Sequence, residues 1–311
     1  MAIQTMEKNS ILKYFEILKS KFFKIVILNS IFFTSVTVLL ICIMGLSSFF
    51  QNVLKVQSNV IDILICLPFI FLGPLTGAIM KVMRDFVREE PGFFWEDLKK
   101  AFKDNFKQSI VIALIQYIFI WAIYIAGVFY WNLSKQNALG TVGFGVTIFV
   151  GIAFLFASYY FYMMTVTLKV TIKEIIKNSF IFTMLCFLKN ILLTIILVIW
   201  LGFVASFTFM VIASQNAFLY GIAICLYMTL TFGLVFYSTA FFTFPSIKKY
   251  VLDPYYEEHP NETSKSVGKR VKNSDGEIVE ELPEFVYHNG KMVARSALEN
   301  EKVFSDNDNE E

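Results

Sequence analysis

Charged residues are all but missing from six long stretches of the chain, with Asp62 and Lys81 near the ends of the second as the exceptions, and this scarcity defines the elements. The stretches cover roughly residues 25–50, 59–83, 108–131, 144–167, 190–213 and 217–244. A bilayer's hydrocarbon core is about 30 Å thick and a helix rises about 1.5 Å per residue, so about 20 apolar residues cross it. Each stretch reaches that length as a continuous apolar run. A transmembrane strand would instead alternate apolar and polar positions over about 10 residues. A helix also pairs its backbone N–H and C=O groups within one segment, which lipid cannot do for them. The pattern predicts an all-α integral membrane protein with six transmembrane helices. The first run far exceeds the about 7–15 apolar residues of a signal-peptide core, and no A-x-A site follows it, so it is expected to remain as a span.

A second pattern precedes each pair of spans. Glu16-Ile17-Leu18-Lys19, Glu96-Asp97-Leu98-Lys99 and Glu174-Ile175-Ile176-Lys177 recur at offsets of 80 and 78 residues. Helical spacing puts Ile11, Phe15, Leu18 and Phe22 on one face, then Trp95, Leu98, Phe102 and Phe106, then Ile172, Ile176, Phe180 and Phe187. The expected architecture is three repeats, each an amphipathic helix at the inner interface followed by a transmembrane hairpin. Three unrelated lysine-rich flanks are the alternative. Pro91-Gly92 marks the start of the second amphipathic helix, with Glu96 and Asp97 near its positive end.

Composition agrees with the pattern and charge adds an orientation. Of 311 residues, 56% are apolar and 17% charged, with mean hydropathy +0.61. Soluble domains hold about 45–50% apolar and about 25% charged residues. The excess excludes a disordered chain, a nucleic-acid binder and an ordinary soluble enzyme. Twenty-five of the 27 Lys and Arg residues lie in the terminal segments and the even-numbered connections; only Lys55 and Lys135 lie in odd-numbered ones. The positive-inside rule then puts both termini in the cytoplasm. The net charge of +2 conceals +10 over residues 1–249 and −8 over residues 250–311. A six-helix transmembrane domain (1–249) facing an anionic inner leaflet is thus followed by an acidic cytoplasmic tail (250–311). The tail is expected to be mostly disordered, most clearly over 261–281. Asn289-Gly290 between Phe285-Val286-Tyr287 and Met292-Val293 signals a β-hairpin, or a short motif that orders on binding.

Candidate chemistry is sparse. Pro68, Gly73, Pro74, Thr76 and Gly77 interrupt the second span, which should break near Gly73. Such a break either exposes backbone to a substrate or ion, or is a kink that admits a neighbouring helix. Asp62, beside Asn59 at the outer end of that span, is a candidate cation or proton site or a solvated helix-end carboxylate. Asn29 and Gln116 are candidate interhelical polar contacts. Lys189, at an inner helix boundary, can snorkel. Arg84, Asp85, Arg88, Glu89 and Glu90 read as a solvated junction of local ion pairs or as a docking surface. Cys42, Cys66, Cys186 and Cys225 read as small buried hydrophobes. No nucleophile, metal-ligand or phosphate-loop motif occurs, so no enzyme activity, cofactor or metal is expected.

The run Gly73-Pro74-Leu75-Thr76-Gly77-Ala78, then Val82-Met83-Arg84-Asp85-Phe86-Val87-Arg88-Glu89-Glu90, resembles the YesL-like bacterial membrane protein family (domain of unknown function 624). The resemblance continues from Phe94-Trp95-Glu96-Asp97-Leu98-Lys99 to Gln108-Ser109, and weakly at Ile175-Ile176-Lys177-Asn178. It implies a multi-pass protein of the bacterial plasma membrane, in the company of carbohydrate-uptake genes, and carries over no site residues. The expected function is an accessory or permease-like component of solute uptake, carbohydrates included. Its partners would be the anionic inner leaflet and a cytoplasmic or membrane protein met through the tail and the amphipathic helices, with no nucleic acid. The alternative is a self-sufficient ion-coupled transporter or channel that uses the broken second helix.

Overall fold

Residues 2–55, 58–89, 92–168, 170–258, 269–272, 278–281, 285–288 and 291–294 are described by a computed structural model. The first helix, α1 (Ala2–Ser48), is 47 residues long. At about 1.5 Å per residue it extends about 70 Å, more than twice the hydrocarbon thickness. The first amphipathic stretch is therefore continuous with the first span. The second span is interrupted: α2 (Asn59–Ile65) ends at Cys66, a 3-10 turn occupies Leu67–Phe71, and α3 (Leu72–Val87) follows. Next come α4 (Phe94–Asp104), α5 (Phe106–Ser134), α6 (Ala138–Thr167), α7 (Ile172–Leu185) and α8 (Phe187–Ser214). The last span is interrupted too, into α9 (Ala217–Thr229) and α10 (Thr231–Ile247). A π-helical turn at Lys248–Leu252 leads to the short α11 (Asp253–Glu258).

Helix starts carry side-chain caps where the sequence supplies them. Asn137 Oδ1 accepts the Gly140 N–H at 2.9 Å before α6. Thr171 and Glu174 form a reciprocal capping box before α7, which satisfies two otherwise orphaned donors.

Among the described residues, six helical stretches are long and apolar enough to cross a membrane: Ile11–Val53, Val60–Val87, Phe106–Ser134, Ala138–Thr167, Phe187–Ser214 and Ala217–Tyr255. The chain is a multi-pass membrane protein whose membrane body is all-helical. Its outward surface is apolar as lipid requires, with Leu188 and Phe23 about four-fifths exposed. Cys42 and Cys225 lie on that exposed surface, whereas Cys186 is buried and Cys66 half-buried. Two of the four cysteines therefore depart from the expected burial.

The helices form three hairpins in a cyclic arrangement. The second helix of each hairpin, α3, α6 and α10, packs against the other two. Ile79, Met83, Tyr160, Met163, Met164 and Tyr237 on these helices are completely buried. The first helices lie outside. α1 packs on α3 and α10, and α5 on α6 and α3. α8 packs on α10 and reaches α6 through hydrogen bonds from Tyr159 and Tyr160. Each outer helix thus touches its own partner and the inner helix of one neighbouring hairpin, as an 80-residue repeat would arrange.

The amphipathic helices differ between repeats. α4 lies on α3 and α7 on α6, separated from α5 and α8 by breaks at Asn105 and Cys186. Asn105 bonds its own helix end, its Nδ2 donating to Ala101 O at 3.0 Å, which competes with continued helix. The rows facing the protein are Asp97, Leu98 and Ala101 in α4, and Ile175, Ser179 and Phe182 in α7. Trp95, Phe102, Phe106 and Phe180 point outward, so most of the predicted apolar row is the lipid side.

In the tail, β1 (Lys269–Lys272) pairs antiparallel with β2 (Ile278–Glu281), and β3 (Phe285–His288) with β4 (Lys291–Ala294). The second pair flanks Asn289-Gly290 as the turn signal predicts, though those two residues lie outside the described ones. The first pair lies within the 261–281 stretch in which no structure was expected, whose other residues lie outside the described ones.

Candidate functional site

Polar groups inside the apolar body concentrate at the two interrupted spans. In the last span, Leu230 leaves helical geometry (φ −133°), and the backbone around it loses partners. Asn29 on α1, completely buried, replaces them. Its Nδ2 donates to Tyr227 O at 2.8 Å, and its Oδ1 accepts from Phe232 N at 2.7 Å and Gly233 N at 2.8 Å. Ser30 Oγ donates to Met228 O at 2.8 Å, and Trp200 Nε1 to Thr231 O at 3.1 Å. Gly233 permits this approach: a Cβ there would lie 3.0 Å from Ile25 Cγ2 and 3.1 Å from Asn29 Cβ.

The second span breaks earlier than its glycines suggest. The 3-10 turn has Pro68 in its first positions, so the irregularity precedes Gly73. Gly73 and Pro74 belong to the first turn of α3, where proline removes no helical bond. Tyr117 on α5 donates its hydroxyl to the Ile63 carbonyl beside the break. Gly73 and Gly77 face α5 one turn apart. A Cβ on Gly73 would lie 2.5 Å from Ser109 O and 2.6 Å from Ala113 Cβ, and one on Gly77 2.5 Å from Ser109 Oγ. Small residues on both helices bring the backbones together. Thr76 turns its hydroxyl back to Leu72 O at 2.9 Å.

A third polar point closes the set. Asn190 on α8 accepts from the Tyr160 hydroxyl at 2.8 Å, and its Nδ2 donates to Phe182 O and Thr183 O at the end of α7. Asn29, Ser109 and Asn190 stand 80 and 81 residues apart. Each lies on the outer helix of its hairpin, is buried, and faces the inner helix of a neighbouring hairpin. Ser109 Oγ alone among them lacks a hydrogen-bond partner among the described residues.

At the lysine-rich end, the residues expected in a solvated junction form a partly enclosed network. Arg84 grips Asp85 through Nε at 3.0 Å and Nη2 at 2.8 Å, and also donates to Val166 O. Lys81 lies 3.3 Å from Asp85 and 4.0 Å from Asp97 of α4. These four side chains are each less than one-fifth exposed. They tie α3, α4 and the end of α6 together. Enclosure follows from α4 lying across α3. Lys13 and Glu89 form an exposed pair at 2.8 Å, and the ammonium holds the Glu89 carboxyl below the usual carboxylate range. The Arg88 guanidinium lies 5.7 Å from the Phe244 ring centre. Glu90 is outside the described residues.

Asp62 is exposed in the first turn of α2. Asn59 begins that helix, and its side chain is outside the description. Gln116 is half-buried on α5. The residues picked out in the sequence are thus spread over separate contacts. The break in the last span, with Ser30 and Trp200, gave no proline signal. Its trace is a Thr-Leu-Thr-Phe-Gly run opposite a buried asparagine that needs partners.

Residues 48–127 match the family described as Protein of unknown function, DUF624. That family is the YesL-like family, and the match contains the Gly73–Glu90 motif and α4. It spans about a quarter of the chain, from the end of α1 through most of α5. No curated protein and no solved structure matches the chain.

Proposed function

We propose that the protein is an accessory, permease-like component of a solute-uptake assembly in the bacterial plasma membrane, working through helix packing and docking without catalysis. The observation that carries this reading is the use made of the freed backbone at the two interrupted spans. Tyr117 bonds it in the second span, and Asn29, Ser30 and Trp200 bond it in the last. In carriers such groups face a substrate or ion; here side chains of the same chain occupy them. Large buried side chains fill the junction of α3, α6 and α10. Lysine-rich flanks support an orientation with both termini in the cytoplasm, where the acidic tail and the amphipathic helices would meet a protein partner. Carbohydrate as the solute class rests on the family resemblance alone.

The alternative, a self-sufficient ion-coupled carrier or channel, draws on the interruptions themselves and on Asp62. Purified chain in liposomes separates the two. The accessory reading expects no flux above empty vesicles across sugar, ion and proton gradients. Saturable flux abolished by Asp62→Asn would replace it with the carrier reading.

A further inference from the structure

Among the described residues, no helix covers the face of α10 that lies between α1 and α8. The corresponding faces of α3 and α6 carry α4 and α7, which bend away from their spans at Asn105 and Cys186. The first repeat has no such bend. Its amphipathic half stays in line with the span, and the space that a bent helix would fill is an apolar groove of about 1000 Å³. Ile11 and Phe15 of α1 wall it on one side, Leu192 and Phe203 of α8 on the other, with Phe241 and Phe242 of α10 at its base. Only two hydroxyls line it, those of Tyr14 and Ser238, and they bond each other at 2.9 Å.

The groove has a cationic end. Lys189 lies one helical turn before Leu192, and Ser246 one turn beyond Phe242, so both continue the lining rows toward the lysine-rich side. The Lys189 ammonium donates to Ser246 Oγ at 3.2 Å, which holds the charge at that mouth. No carboxylate pairs with Lys189 among the described residues.

We propose that this groove is a binding site for a two-chain anionic phospholipid of the lysine-rich leaflet, with acyl chains between α1 and α8 and the phosphate at Lys189. The charge at the mouth matches an anionic headgroup, and the volume and apolar walls match acyl chains. A sugar would find few partners along the walls: Tyr14 and Ser238 share one hydrogen bond and leave a single O–H between them, and Trp200 Nε1 already donates to Thr231 O. A partner helix is held closely by small residues, and the walls here are Ile, Leu, Phe and Trp. The site does not depend on the function proposed above.

The test uses the full chain in phosphatidylcholine vesicles containing acyl-brominated phosphatidylglycerol or acyl-brominated phosphatidylcholine at equal fraction. Trp200 lines the groove, and the other three of the four tryptophans are replaced by Phe. Brominated phosphatidylglycerol should quench Trp200 with about fivefold preference, the factor corresponding to about 1 kcal/mol for one lysine near an anionic surface. Lys189→Gln should erase the preference. Equal quenching by the two lipids, a preference untouched by Lys189→Gln, or quenching by neither, as a protein helix in the groove would give, overturns the proposal. Native mass spectrometry of the chain with all its tryptophans gives an independent reading. Retained anionic phospholipid, reduced about fivefold by Lys189→Gln, is expected; retained zwitterionic lipid alone, or none, overturns the proposal.

Discussion

Replacing Asn29 with Leu keeps the number and branching of the side-chain heavy atoms and removes three hydrogen bonds of 2.7–2.8 Å to Tyr227 O, Phe232 N and Gly233 N. In membranes a side-chain hydrogen bond averages about 0.6 kcal/mol and reaches about 1.7 kcal/mol. Stranding a buried backbone group costs more, about 1–3 kcal/mol each. Three stranded groups with no relaxation would cost about 3–9 kcal/mol. Relaxation is limited. Winding α9 straight into α10 would turn Leu230 and press Gly233 further against Ile25, whose carbonyl already lies 3.2 Å from a Cβ position there. The expected loss is therefore about 3–4 kcal/mol, at the lower end of the unrelaxed range. Ser30→Ala removes one hydroxyl proton shared between Val26 O and Met228 O, on a more exposed side, and should cost under about 1 kcal/mol. Reversible unfolding in mixed micelles titrated with dodecyl sulfate measures both. An Asn29→Leu loss below about 0.5 kcal/mol, or no larger than that of Ser30→Ala, would refute the capping role.

Three further outcomes follow from the packing and the caps. Gly73→Ala should destabilise by about 1–3 kcal/mol through its clash with Ser109 O and Ala113, whereas Gly127→Ala, with nothing within 4 Å, should be neutral or stabilise by up to about 1 kcal/mol; equal effects in the same unfolding assay would contradict the close crossing. Ser109→Ala removes a buried hydroxyl without a partner and should stabilise by about 1 kcal/mol, so a loss of stability would reveal a bond this structure lacks. The Thr171 N–H, and then its hydroxyl, hold the Glu174 carboxyl below the usual carboxylate range. The cap's contribution is thus present above the unfolded value of about 4.3 and lost as pH falls through the lower folded value; carboxyl NMR should give a depressed midpoint that Thr171→Val, which keeps the backbone N–H, raises only part of the way, and an ordinary midpoint in the unaltered chain would sink this account.

The six spans were legible because lipid imposes one rule on every residue of a crossing helix: no charge over about 20 positions. The repeat was legible for a related reason, since Glu16, Glu96 and Glu174 mark the same boundary three times. The breaks were less so. Pro68 marked one of them, but Gly73 and Gly77 drew attention to a position one to two turns too late, because glycine serves close packing as readily as it serves a break. The break at Leu230 has no proline, and its partners come from α1 and α8, 198 and 31 residues away. Asn29 was recognisable as interhelical contact; which groups it would satisfy depends on the cyclic order of the hairpins, which no local pattern carries. The Arg84 network looked solvated for the same reason, since only α4 folding back over α3 encloses it. α1 remaining straight where α4 and α7 bend left an open groove that no sequence feature announced.

The accessory role is tested most directly by recovering the tagged full-length chain in mild detergent from cells taking up different solutes, and measuring uptake in a deletion strain alongside. The account expects a transport system at fixed stoichiometry with the chain, and uptake of that system's solute reduced by the deletion. A chain recovered alone under every condition, with uptake unchanged by its loss, would contradict it.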